Sequence, residues 1–282
     1  MLDLIYIVKA VLLGAIEGLT EFLPISSTGH LILAAKALNF PEDAFYQMYL
    51  VVVQLAAIFA VVIYFWPRLW SRLRSFFRFE KAGLRFMGLW ILGCIPAGLM
   101  GLFFDDWIET HLMSVKTVAW ALIVGAILLL ALEKWLTPRA RTAQMKEMTV
   151  WQSLGVGLFQ CLSLWPGFSR SASTIMGGWV FGLKTQAAAD FSFFLAMPIM
   201  GAASTYSLLK YVKQAKEATL AVQLGPNQAL ALLFGCLVSL AVALAVVQAF
   251  MHFIKKHKLR GFALYRLILG VGLLIASYSV WR

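Results

Sequence analysis

The sequence predicts an all-α polytopic membrane protein made of two inverted repeats, each a re-entrant helical hairpin followed by three transmembrane helices. Three observations carry that prediction. Of 282 residues, 61% are hydrophobic and only 13% charged, with mean hydropathy +0.82; soluble domains hold roughly 45–50% apolar and about 25% charged residues. Six apolar runs, near residues 46–66, 85–104, 117–136, 188–210, 228–250 and 262–281, each reach the roughly 20 residues needed to cross a bilayer. Two further segments, near 1–40 and 150–187, set reactive polar residues inside apolar sequence and read as two versions of one unit.

Taken in order, residues 1–40 carry Asp3 and Lys9 before an apolar run containing Glu17. They lack a basic leader and a small-residue cleavage site, so no cleaved signal peptide is expected. Pro24 ends the first helix and the serines after it suit a new helix start. Three spans complete a first unit, 1–136, with Trp66, Trp70, Trp107 and Trp135 near span ends as interfacial anchors. Pro166 repeats the role of Pro24 in the segment 150–187, and three more spans complete a second unit, 150–282. Aligning the two prolines places Ser27 on Ser169. Cys94, Cys161 and Cys236 all lie in apolar segments, with no metal or disulfide spacing.

Charge sets the orientation. The stretches 67–84, 137–149 and 251–261 carry twelve basic residues, among them Arg68, Arg72, Arg74, Lys146 and Lys255. The alternate loops carry three: Lys116 beside Asp105, Asp106 and Glu109, then Lys213 and Lys216 beside Glu217. The positive-inside rule puts the rich stretches in the cytoplasm. The net charge of +11 therefore points to anionic lipid headgroups, and not to nucleic acid, as its partner. Residue 46 then lies outside and residue 188 inside, so the first hairpin dips in from outside and the second from the cytoplasm. They meet near the midplane, where irregular backbone survives if buried in protein or lining a wet cavity. A full crossing by residues 2–20 is the competing topology.

The motifs carry the chemistry. Glu17 and Glu21, four apart, share one helix face; such a pair needs a cation, a shared proton or an arginine such as Arg170 between its members. A divalent cation, which takes one or two carboxylates plus substrate phosphate, fits that need. Ser26, Ser27, Thr28 and His30 follow, a hydroxyl–imidazole grouping for nucleophilic attack; the structural reading is a helix cap near Leu31. In Pro166-Gly167-Phe168-Ser169-Arg170-Ser171, glycine permits close approach of backbone to an anion and the next helix offers free N–H groups. Arg170 adds a planar fork for phosphate oxygens, and Ser169, Ser171, Ser173 and Thr174 add donors. Gln54 and Asp190 are weaker candidates for supporting roles. Opposite charges in the two motifs suggest that they meet over a phosphate.

With those residues in hand, the chain resembles the undecaprenyl pyrophosphate phosphatase family of the bacitracin-resistance type. The resemblance rests on Glu17-Gly-Leu-Thr-Glu21-Phe-Leu-Pro24-Ile-Ser-Ser-Thr-Gly-His30 and on Pro166-Gly-Phe-Ser-Arg170-Ser-Ala-Ser-Thr174, and covers nearly the whole length. It implies a multi-pass enzyme of the bacterial inner membrane that hydrolyses undecaprenyl diphosphate to the monophosphate. That recycles the lipid carrier of peptidoglycan synthesis and confers bacitracin resistance. It also implies a divalent cation (Mg²⁺ or Ca²⁺) and a site open to the outer side. The lipid phosphatase superfamily is set aside, because Met176 stands where its second histidine is required. Glu21, Ser27, His30 and Arg170 are the expected catalytic residues, with Glu17 and Glu21 on the metal. Ser26, Thr28, Gly167, Ser169, Ser171, Ser173 and Thr174 are expected to bind phosphate. Whether Ser27 attacks with His30 as base, or His30 attacks directly, stays open, as does a homodimer. A lipid-carrier flippase or ion-coupled transporter using the same site is the alternative function.

Overall fold

The structure, a computed structural model, describes residues 3–41, 43–216 and 225–279. Glu217 and residues 280–281 of the last expected span lie outside these. The described helices are α1 (Leu4–Thr20), α2 (Ser27–Ala37), α3 (Ala44–Phe77), α4 (Lys81–Leu112), α5 (Val115–Leu136), α6 (Val150–Gln160), α7 (Arg170–Val180), α8 (Thr185–Lys216), α9 (Pro226–Phe253) and α10 (Arg260–Ser279). Among the described residues six of them, α3, α4, α5, α8, α9 and α10, are long and apolar enough to span a membrane. They stand where the hydropathy runs placed them.

Local signals explain the starts. The side chains of Asp3, Asp43 and Ser114 accept from the backbone N–H of Tyr6, Tyr46 and Thr117, and Thr149 with Gln152 forms a reciprocal capping box ahead of α6. Each satisfies donors that a helix start leaves without partners. One expectation is corrected. The stretch after Pro67 is not a loop: α3 continues through Pro67 to Phe77, and only residues 78–80 turn into α4. A proline costs the helix one hydrogen bond, and the paired rings of Trp66 and Trp70 beside it are exposed, as tryptophans at a membrane–water interface are, where water can take the freed carbonyl.

The two short hairpins, α1–α2 and α6–α7, are wedged between the long helices. Helix α1 packs on α9, α6 on α4, α5 on α10, and α3 on both α8 and α9. Phe22 and Phe168, from the two hairpin turns, are buried in one core with Phe65 of α3, Phe191, Phe193 and Phe194 of α8 and Phe250 of α9. Phe22 stands 5.7 Å from Phe193, and Phe65 stands 5.2 Å from Phe194. This aromatic layer fixes both turns against the central helices.

Glycine permits the closest contacts. A Cβ on Gly14 of α1 would run into the backbone of Gly235 in α9, and one on Gly157 of α6 into the backbone of Gly93 in α4. Small residues at such crossings let helix backbones approach in a membrane. Gly157→Val is expected to destabilise the protein by about 1–3 kcal/mol through overpacking, read as a lower unfolding temperature in detergent.

Candidate active site

Both hairpin turns hold a serine in left-handed backbone. Ser26 has φ 71° and ψ 104°, Ser169 has φ 75° and ψ 118°, and each is the residue just before its second helix. Such conformations cost about 1–3 kcal/mol each and persist where surrounding structure enforces them. Aligned on these two serines, not on the prolines, the motifs shift by one residue and Ser26 stands opposite Ser169. The same one-residue shift matches Gly14 with Gly157, Glu17 with Gln160 and Ser27 with Arg170. The fixed point is the left-handed serine, and each proline merely lies in the turn before it. Ser27 and Arg170 therefore occupy the same position, the first residue of α2 and of α7.

The two helix starts face one cavity of about 180 Å³. Its polar wall is Glu21, Ser26, Ser27, Thr28, Gln54, Ser163, Ser169 and Arg170; Pro166 and Gly167 close the turn, and Ile199, Met200 and Ala203 of α8 form the apolar side. Glu21 sits between the motifs. Its Oε2 accepts from the Ser27 hydroxyl at 2.5 Å, and its Oε1 lies 3.7 Å from Arg170 Nη2. Arg170 is held from behind, its Nη1 donating to the Ser192 carbonyl at 3.2 Å and to the Ser192 hydroxyl at 3.4 Å. Its Nε and Nη2 have no hydrogen-bond acceptor. Ser26 makes no side-chain cap, which leaves the first N–H groups of α2 free beside the cavity. Unspent guanidinium donors and an uncapped helix start are a site for an anion.

The other predicted residues sit around this line. Ser171 donates to the Leu23 carbonyl at 2.9 Å and so ties one turn to the other. Ser173 donates to the Ser169 carbonyl at 2.8 Å, and Thr174 to the Ser192 hydroxyl at 2.6 Å. None of these three lines the cavity; they hold the Ser169–Arg170 segment. Glu17 is buried one helical turn behind Glu21, and both its carboxylate oxygens lack a hydrogen-bond partner. Its counterpart Gln160 is equally buried, and its amide oxygen and nitrogen also have none.

His30 is not brought to the Ser27 hydroxyl. Its Nδ1 is 2.7 Å from the Ser26 carbonyl and its Nε2 is 2.6 Å from the Tyr265 hydroxyl. A carbonyl only accepts, so Nδ1 carries the proton. In the neutral ring Nε2 then accepts from Tyr265, and His30 has no lone pair left for Ser27. Asp190 pairs with Arg68 at 3.3 Å instead of joining the cavity, whereas Gln54 does line it, accepting from Ser204 at 3.4 Å.

Sequence reasoning passed over Ser163, Ser192, Tyr265 and Arg266. For Arg266 a signal existed, since an ionisable residue inside an apolar span is rare and costly. Ser163 lies within the second motif segment but carries no role in that reading, and nothing in the local pattern marks Ser192 or Tyr265.

Comparison with known proteins shows the family. A family described as "Bacitracin resistance protein BacA" matches residues 10–272. The chain is similar to the undecaprenyl-diphosphatase of Clostridium tetani (strain Massachusetts / E88), 43% identical with 97% of each chain covered. It is 40% identical to the undecaprenyl-diphosphatase of Clostridium perfringens (strain SM101 / Type A), covering 99% of this chain and 98% of the relative. It is 41% identical to undecaprenyl-diphosphatase 2 of Clostridioides difficile (strain 630), with 99% and 97% covered. A match over residues 10–272, a range that contains both motif segments, makes this chain a member of the BacA bacitracin resistance family.

Proposed function

We propose that this protein is an undecaprenyl-diphosphatase, a membrane enzyme that hydrolyses undecaprenyl diphosphate to undecaprenyl phosphate and inorganic phosphate. What carries the reading is the Ser27–Glu21–Arg170 line across one cavity, with a hydroxyl on a carboxylate at 2.5 Å and unspent guanidinium donors opposite. The diphosphate enters the polar side of the cavity. Its isoprenyl tail leaves past Ile199 into the apolar groove of about 450 Å³ between α4 and α8, lined by Trp90, Cys94, Gly98 and Pro198, because Ile199 borders both spaces.

Glu21 takes the proton of the Ser27 hydroxyl, and Ser27 Oγ attacks the terminal phosphorus. The bridging P–O bond breaks, and the lipid monophosphate leaves with its oxygen. Water then hydrolyses the phosphoserine, its hydroxyl going to phosphorus and its proton to Ser27 Oγ, and Glu21 gives up its proton with the departing inorganic phosphate. Arg170 and the first N–H groups of α2 neutralise charge on the phosphoryl group in transit. His30 keeps a positioning role.

A divalent cation fits the residues present. Among the described residues no three His, Cys, Asp or Glu side chains form a metal cluster. The partnerless oxygens of Glu17, next to Glu21, are nevertheless the donors that a hard cation completes. Glu17 and Glu21 would hold it, and it would supply charge neutralisation on the diphosphate.

The inverted repeat belongs to the same reading, as units 1–136 and 150–282. The matched serines, the Gly14–Gly235 and Gly157–Gly93 approaches, and the exchange of α1 on α9 for α6 on α4 support it. With the basic stretches in the cytoplasm, the cavity opens to the outer side.

The test is phosphate release from undecaprenyl diphosphate by purified protein in detergent, with and without EDTA. Release that EDTA abolishes and Mg²⁺ or Ca²⁺ restores is expected. Folded protein that releases none would refute the enzyme, since detergent leaves no two sides between which to transport.

A further inference from the structure

Helix α10 carries two neighbouring residues that reach the two turns separately. Arg266 is fully buried, and among the described residues no carboxylate pairs with it. Its Nη2 donates to the Phe168 carbonyl at 2.7 Å and to the carbonyls of Gly167 and Ala121 at 3.4 Å. The guanidinium stands 5.9 Å from the centre of the Phe168 ring. Gly125 of α5 makes its room, since a Cβ there would collide with Nη2. Tyr265 reaches the other way. Its hydroxyl is 2.6 Å from His30 Nε2 and its ring stacks on the imidazole at 5.5 Å, while His30 Nδ1 donates to the Ser26 carbonyl at 2.7 Å.

Apart from that of Ala121 in α5, the carbonyls that receive these bonds lie in the two turns, at or beside residues of positive φ. Ser26 has φ 71° and Gly167 has φ 98°, and Phe168 immediately precedes Ser169 at φ 75°. A left-handed serine relaxes unless its neighbours are held. Each turn sets the first residue of the helix after it, Ser27 on one side and Arg170 on the other. A buried guanidinium without a counter-ion is a costly way to fill space that an apolar side chain would fill more cheaply. Its unneutralised charge, directly behind the Gly167–Phe168 backbone, also makes the cavity more attractive to an anion.

We propose that Tyr265 and Arg266 form a two-armed brace, Tyr265 acting through His30 on the Ser26 turn and Arg266 acting directly on the Gly167–Phe168 turn. The brace holds Ser27 and Arg170 in register across the cavity, so both residues are positioning residues for the hydrolysis. This rests on the phosphatase reading given above.

The experiment uses the full chain in detergent with Tyr265→Phe, His30→Gln, Arg266→Lys and Arg266→Met. It measures kcat and KM for undecaprenyl diphosphate, unfolding temperature, and affinity for inorganic pyrophosphate by calorimetry. Tyr265→Phe is expected to lower kcat about tenfold with KM unchanged, and Arg266→Met about a hundredfold or more, the scale of a misplaced reacting group. Tyr265→Phe added to His30→Gln should cost nothing further, because the arm is already cut. Arg266→Met should also weaken pyrophosphate binding. Arg266→Lys should restore that binding, which needs the charge, but not kcat, which needs the fork.

A brace that only stabilised the fold would lower the unfolding temperature and leave kcat of the folded fraction unchanged; that result overturns the proposal. Additive losses in Tyr265→Phe with His30→Gln overturn the Tyr265 arm. Should Arg266→Met not fold, Arg266→Lys and Tyr265→Phe carry the same test. Should the wild type release no phosphate, the function fails while the pyrophosphate affinities still judge the Arg266 arm.

Discussion

Arg170→Gln is expected to lower phosphate release by about a thousandfold or more, the range for removing a charge-stabilising donor from phosphoryl transfer. The reason is geometric: Arg170 is the first residue of α7, faces the cavity, and keeps Nε and Nη2 without acceptors. The same substitution should lower stability, because it strands Glu21, whose carboxylate lies 3.7 Å from the guanidinium with both side chains buried. Breaking one half of a buried ion pair costs about 3–5 kcal/mol, whereas removing both halves is nearly neutral. Arg170→Gln with Glu21→Gln should therefore recover the unfolding temperature in detergent and stay inactive. Arg170→Lys keeps the charge but not the planar fork, and should remain well below wild type. A double variant as unstable as Arg170→Gln alone would mean that the pair is not what holds Glu21.

Glu21→Gln and Ser27→Ala are each expected to cost about 10²–10⁴-fold in kcat, the span of a lost general base or its nucleophile. Because Ser27 donates to Glu21 at 2.5 Å, the two act as one unit, so the double variant should fall little below the worse single. His30→Gln is the control. With both ring nitrogens engaged by Ser26 and Tyr265, its loss should be roughly ten times smaller than that of Glu21→Gln, as a positioning effect. Equal losses in a side-by-side kcat measurement would return the base to His30.

Much of this molecule was legible in the sequence. The six spans followed from hydropathy because a bilayer demands about 20 apolar residues from any helix that crosses it. The two motifs stood out because polar groups at that depth are expensive enough to need a reason. Composition and motif therefore singled out the two segments that hold Glu21, Ser27, His30 and Arg170, of which Glu21, Ser27 and Arg170 line one cavity.

What escaped were contacts between distant elements. The spacing of Ser27 and His30 suggests a hydroxyl with its base, or an attacking imidazole beside it, yet on a helix starting at Ser27 the imidazole turns to Tyr265 of α10, 235 residues away. Aligning the two motifs on their prolines sets Ser27 opposite Ser169, yet the residues that share positive φ, Ser26 and Ser169, stand one residue off that alignment. A dihedral angle leaves no letter in the sequence when serine, not glycine, adopts it.

The sequence by itself determined a helical membrane protein with two charged motifs set in apolar sequence, because burying charge and spanning lipid are constraints on composition and spacing. Only the tertiary structure decided which carboxylate meets the hydroxyl, which imidazole does not, and that Arg266 reaches the second turn. Those outcomes depend on helix rotation and crossing, which packing across the whole bundle sets and no local pattern encodes.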